Sequence, residues 1–147
     1  MTRRARWVLS LFAAAALAGC SSSPPPTPAQ RPGTVAAGTA TVSIDGGIAD
    51  TDSNVSCQTI GTTTTVTTGS ADAGSSVVLT SDPKLTVKSV SIRNIGGFTG
   101  SYHEDLGKPA DIELTDRTYE LSGVADGFAI DNPSFRKQGE FTITVGC

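Results

Sequence analysis

Three kinds of side chain in this 147-residue sequence have types and spacings that bear on chemistry: the thiols Cys20, Cys57 and Cys147, an oxygen-rich run at Asp50-Thr-Asp52-Ser-Asn54, and the single histidine, His103. A thiol acts as nucleophile, metal ligand, acyl acceptor or disulfide partner, depending on its surroundings. The acidic run has the D-x-D-x-N spacing that opens a calcium loop, but Val55 stands where the sharp turn needs glycine and Gly61 where a bidentate glutamate belongs. A solvated loop is therefore expected there. His103-Glu104-Asp105 are consecutive, so their side chains cannot converge on one ion, and no second histidine or paired thiolate completes a metal site. Nucleophilic catalysis needs an activated Ser, Cys or Thr beside a base, and no G-x-S-x-G or similar arrangement accompanies His103. The expectation is a protein that is not an enzyme, with no catalytic residue, no metal and no cofactor. Asn54-Val55-Ser56 matches a glycosylation sequon by chance, inside a predicted strand.

The surroundings of Cys20 are the most informative. Leu17-Ala18-Gly19-Cys20 resembles a bacterial lipobox: a branched apolar residue, two small ones, then the cysteine that receives a lipid. Ahead of it, Arg3, Arg4 and Arg6 form a positive segment, and Trp7 to Leu17 is an apolar run broken only by Ser10. That run is shorter than the about 20 residues that span a bilayer. In lipoproteins carrying this motif the thiol takes a diacylglycerol, the leader is cut before the cysteine, and the freed amine is acylated. Two or more acyl chains such as palmitate, at about 0.8 kcal/mol per buried methylene, hold a protein stably where one does not. The expectation is a chain lipidated at Cys20 and anchored on the outer face of the cell membrane, within the envelope.

Loss of residues 1–19 removes three arginines and leaves eight basic against fourteen acidic side chains. So acidic a domain is a poor partner for nucleic acid and lacks the basic cluster that grips anionic headgroups. Its membrane contact runs through the lipid on Cys20 alone. With Cys20 acylated, Cys57 and Cys147 remain as a pair in an oxidising compartment.

The elements that must position these residues fall into three parts. Residues 1–19 are the leader. Residues 20–39 are the lipidated cysteine and a Ser/Pro-rich tether, in which Ser21 to Gly38 carries five prolines and no apolar periodicity. At about 3.1 Å per residue in polyproline geometry, the tether lifts the domain roughly 40 to 55 Å from the membrane. Residues 40–147 are the folded domain, with about 24% Val, Ile, Leu and Phe, above the level of a disordered chain. Apolar residues there alternate with polar ones at period two, which predicts strands near 41–45, 54–59, 62–68, 76–80, 85–93, 98–102, 110–115, 118–123 and 140–146. Asp45-Gly46-Gly47, Gly96-Gly97 and Asp116-Arg117 read as turns, and Pro83 and Pro133 mark loops. Between Val87 and Val90 the apolar parity changes, so a β-bulge is predicted near Lys88-Ser89. Val55 and Cys57 share one face of a strand, and Phe141, Ile143, Val145 and Cys147 share one face of the last, an arrangement for a buried Cys57–Cys147 disulfide. The predicted class is all-β: a twisted antiparallel sheet forming a small sandwich or half-barrel.

Val87-Lys-Ser-Val90, Asn94, Gly97, Tyr102, Tyr119-Glu-Leu-Ser-Gly123-Val-Ala125-Asp-Gly127, Asn132-Pro133 and the closing Phe141-x-Ile143-x-Val145-x-Cys147 resemble the mycobacterial nineteen-kilodalton lipoprotein antigen family. The likeness covers nearly the whole mature chain. It implies an acylated, often glycosylated envelope protein that hosts sense through Toll-like receptor 2, with ligand transport suggested but no reaction. Two departures stand out: Arg117 replaces the glycine of the family hairpin, and the tether is richer in proline and poorer in threonine, which bears on how far it is glycosylated.

The favoured function is a lipid-anchored, non-enzymatic interaction module whose acyl group a host receptor reads; the alternative is a carrier of a small apolar or lipid ligand. If a ligand is carried, its mouth is expected at the Gly127 to Gly139 loop, with Phe128, Ile130 and Phe135, because those aromatics lie outside every assigned strand. Capping of the core is the plainer role for them.

Overall fold

The computed structural model describes residues 31–47 and 50–147. The leader, Cys20 and the first part of the tether lie outside the described residues. Ten strands form one antiparallel sheet: β1 (Ala40–Ile44), β2 (Asp50–Asp52), β3 (Val55–Ile60), β4 (Thr63–Gly69), β5 (Gly74–Thr80), β6 (Thr86–Ile95), β7 (Phe98–His103), β8 (Asp111–Thr115), β9 (Thr118–Ala129) and β10 (Asn132–Gly146). A single 3-10 turn, Glu104–Leu106, interrupts them. The order across the sheet is β2-β1-β10-β9-β7-β6-β5-β4-β3, with β8 beside the first half of β9.

Only Ser53 and Asn54 separate β2, at one edge of the sheet, from β3, at the other. So short a link brings the two edges together, and the sheet curls until it is nearly closed into a barrel. The corner is held by polar groups. The Asn54 backbone N–H donates to Asp52 Oδ1 at 2.7 Å, Asn54 Nδ2 donates to the Gly69 carbonyl at 2.6 Å, and the Gly69 N–H donates to the Asn54 carbonyl at 3.1 Å.

The inside is lined by one side of β1, β4, β5, β6, β7, β9 and β10. Ala40, Val42 and Ile44 of β1 meet Phe141, Ile143 and Val145 of β10, Leu121 of β9, and Val77, Leu79, Val87, Val90 and Ile92 of β5 and β6, all buried. Val87 and Val90 both face inward because Lys88 is skipped in the ladder: Val78 pairs with Ser89 and Leu79 with Val87. This is the predicted bulge, one extra residue restoring the apolar parity. The predicted turns at Gly96-Gly97 and Asp116-Arg117 also form, with positive φ at Gly96, Gly97 and Asp116.

The loop expected from Gly127 to Gly139 is instead a hairpin. Strand β9 continues to Ala129, β10 starts at Asn132, and Pro133 to Phe135 bulge out between the pairs Ala129–Asn132 and Phe128–Arg136. The apolar signal vanishes there because the inward row is glycine. A Cβ at Gly100, Gly127 or Gly139 would lie 2.6, 2.8 or 3.0 Å from Cζ of Phe98, so three strands give up side chains to admit that one ring. Phe98 is fully buried, and a ring of its size contributes about 1.5–3 kcal/mol by leaving water.

Two further expectations change. Asp50–Asp52, read as loop, is a short strand paired with β1. The last part of the expected tether, Arg31 to Thr39, lies against the domain: Arg31 pairs with Asp116 at 3.0 Å, the Val35 N–H donates to Thr118 Oγ1 at 3.1 Å, and the Gly38 N–H donates to the Gly146 carbonyl at 2.8 Å.

Candidate functional site

Cys57 and Cys147 are joined, with Cα atoms 5.9 Å apart. The bridge is not buried as expected: Cys57 is exposed and Cys147 half-buried. Cys57 has the inward parity, opposite Val66, but β3 is the rim of the sheet, and no strand covers its far side. The disulfide thus clasps the rim strand to the end of the central β10. Arg117 donates to the terminal Cys147 carbonyl, closing the same end.

The residues singled out for metal or acid–base chemistry are not brought together. Asp52 and Asn54 are spent on the corner between β2 and β3. His103 ends β7 exposed, and Glu104, in the following turn, pairs with Lys88 of the bulge. That carboxylate raises the Lys88 pKa. Among the described residues, no group of three or more His, Cys, Asp or Glu gathers as for a metal. Serine and threonine hydroxyls mostly bond to backbone groups, and two pairs meet each other: Thr59 and Thr64 at 2.9 Å, and the buried pair Thr68 and Ser75 at 2.9 Å. Neither pair has a base beside it.

Asp45 is a different case. Its carboxylate accepts from Lys137 Nζ at 2.7 Å and from the Glu140 N–H at 2.9 Å, so the lysine first and the backbone second hold its pKa below the ordinary carboxylate value. It ties the turn after β1 to β10.

Phe128, Ile130 and Phe135 all sit at the β9–β10 hairpin tip. Phe128 alternates with inward Gly127 and Ala129 and so faces outward, half-buried; Ile130 and Phe135 are exposed, at 49% and 69%. The Ile130 N–H donates to the Gly97 carbonyl at 2.8 Å, fastening this tip to the β6–β7 turn. Phe98, on the inner side, is what fills the end of the core. Besides clefts beside β8 bordered by Asp111 and Ser122, two kinds of cleft bear on a ligand site. One, about 380 Å³, lies where the sheet's edges approach and is bordered by Val42, Ile95, Thr68 and Asn54. The other is on the outer face of β6, β7, β9 and β10, where clefts of about 320 and about 210 Å³ share Ser101, Asp126 and Arg136. Sequence reading missed this second group, since its members are ordinary outward residues of separate strands. Only the register makes them neighbours.

Comparison with known proteins agrees with the resemblance. Residues 33–147 match the model of the family described as Mycobacterium 19 kDa lipoprotein antigen. A protein of Mycobacterium indicus pranii named only as a lipoprotein is 33% identical over 139 residues, covering 94% of each chain. Lipoprotein LpqH of Mycobacterium avium is 33% identical over 113 residues, 76% of this chain and 70% of its own. Lipoprotein LpqH of Mycobacterium tuberculosis is 31% identical over 107 residues, 72% and 67% respectively. A family match that takes in every strand of the sheet, and relatives alike over most of their length, place the chain in the Mycobacterium 19 kDa lipoprotein antigen family.

Proposed function

We propose that this protein is held on the outer face of the cell membrane by acyl chains on Cys20, that its β domain is a non-catalytic interaction module, and that the acylated end is what host Toll-like receptor 2 reads. The observation that carries this is Leu17-Ala18-Gly19-Cys20 at the end of an apolar run, in a chain whose relatives are lipoproteins. A catalytic reading finds little support, since His103 is exposed and makes no side-chain hydrogen bond among the described residues. Detergent phase partition tests the anchor. Wild-type protein is expected in the detergent phase, and Cys20→Ala is expected to stay uncleaved or to be released. Wild type and variant both in the aqueous phase would refute the reading.

A carrier of a small apolar ligand is the second reading. The observation for it is the cleft of about 380 Å³ bordered by Val42 and Ile95. Against it stands an interior filled by side chains from every long strand.

A further inference from the structure

The outer face of the sheet carries a row that no single strand reveals. Following the register from strand to strand, Thr67 stands opposite Ser76, Ser76 opposite Ser91, Ser91 opposite Ser101, Ser101 opposite Asp126, and Asp126 opposite Gln138. Six strands thus place polar side chains in line, all short but Gln138, about 4.8 Å from one strand to the next. Taller side chains stand beside its middle part, Arg93, Phe128 and Arg136 on one side with Thr99 among them, and His103, Val124 and the turn residue Leu106 on the other. Between these side chains the outer face is hollowed at Ser91, Ser101 and Asp126 into a short trough made of the two clefts that share Ser101, Asp126 and Arg136.

We infer that this trough, floored by Ser91, Ser101 and Asp126 and walled by Phe128 and Arg136, binds an extended neutral glycan. The inference rests on the reading of the domain as an interaction module and names the partner class. Serine hydroxyls donate and accept, as sugar hydroxyls do. Gln138 Nε2 already donates to Asp126 Oδ1 at 3.1 Å, which fixes the carboxylate and leaves its second oxygen and the Gln138 carbonyl to accept from a ligand. Arg136 makes no side-chain hydrogen bond among the described residues and offers planar donors to adjacent hydroxyls. Phe128 supplies an apolar face for the C–H side of a sugar ring.

Other ligand classes fit less well. An acyl chain would strip water from the floor without replacing its hydrogen bonds. A polyanion would meet Asp126 in the floor of an acidic domain. A peptide adds to a sheet through unpaired backbone at an edge, whereas this trough crosses strands whose backbone groups are already paired.

The test is native affinity electrophoresis of the acylated protein in non-ionic detergent, through gels containing a soluble neutral mannan, a soluble neutral arabinan, or heparin as anionic control. At least one neutral polysaccharide should retard the protein, and more strongly than heparin does. Ser101→Trp, which fills the trough from an exposed position, should abolish that retardation. Phe128→Ala and Asp126→Asn should each raise the apparent dissociation constant at least about fivefold, with melting temperatures unchanged. Retardation by neither neutral polysaccharide, retardation that survives Ser101→Trp, or a stronger effect of heparin would overturn the inference. Phase partition and receptor activation of the same preparations report on the anchor separately. Protein that enters the detergent phase yet ignores both neutral polysaccharides removes the glycan site alone.

Discussion

Replacing both bridged cysteines, Cys57→Ser with Cys147→Ser, should cost this domain more than any surface change elsewhere. The bridge spans a sequence separation of 90. In the chain-entropy model, closing a loop of that length restricts the unfolded chain by about 4–5 kcal/mol at 25 °C. The effect acts on the unfolded state, so the exposure of Cys57 does not diminish it. At Cys57 exposure also keeps the experiment clean, because serine at an open rim buries no unsatisfied hydroxyl. For a domain of this length, with an unfolding entropy of about 2.1 cal/mol/K per residue, the loss lowers Tm by about 20 °C. The native state adds a local consequence: without the clasp, β3 is held to the sheet only by β4 and by the corner at Asn54, and it should fray first. Thermal unfolding followed by circular dichroism, on the double variant and on unreduced wild type, measures the first effect. Hydrogen exchange at the amides of β3 measures the second. A Tm drop of less than about 5 °C would refute the entropic account.

Two smaller perturbations probe the core and the turn after β1. A Cβ at Gly127 would lie 2.1 Å from the Thr99 carbonyl oxygen and 2.6 Å from the Gly100 Cα, so Gly127→Ala should force β7 and β9 apart and cost at least about 2 kcal/mol, whereas Gly107→Ala, with nothing within 4 Å, should melt like wild type; equal melting temperatures for the two variants would contradict the packing described for Phe98. Asp45 has its folded pKa lowered by Lys137 and the Glu140 N–H, so its contribution is present above the ordinary carboxylate pKa of about 4 and is lost as pH falls through the lowered value. Because the pair is exposed, Asp45→Asn should cost under about 1 kcal/mol at pH 7, and the gap to wild type should narrow as pH falls below the ordinary carboxylate value and through the lowered one. Denaturant unfolding of both proteins at pH 7 and pH 2.5 decides this, and a gap unchanged between the two would show that the charge plays no part.

Local chemistry is written into a sequence one residue at a time, and what depends on it was legible here. Period-two alternation located nine of the ten strands, because an outward polar and an inward apolar residue differ in composition wherever the strand ends up. The turns at Gly96-Gly97 and Asp116-Arg117 were legible because positive φ selects particular residues, and the Lys88 bulge because parity must be restored inside one strand. The lipobox-like run at Cys20 is likewise local. What the tertiary structure alone decided is whatever needs two distant segments. The β9–β10 extension hides behind Gly127 and Gly139, whose reason is the ring of Phe98 on another strand. Cys57 has the parity of a buried residue, yet it is exposed, because only the strand order shows that β3 is a rim. Ser91, Ser101 and Asp126 mean nothing singly; the antiparallel register sets them side by side, and register is fixed by the burial of the opposite face.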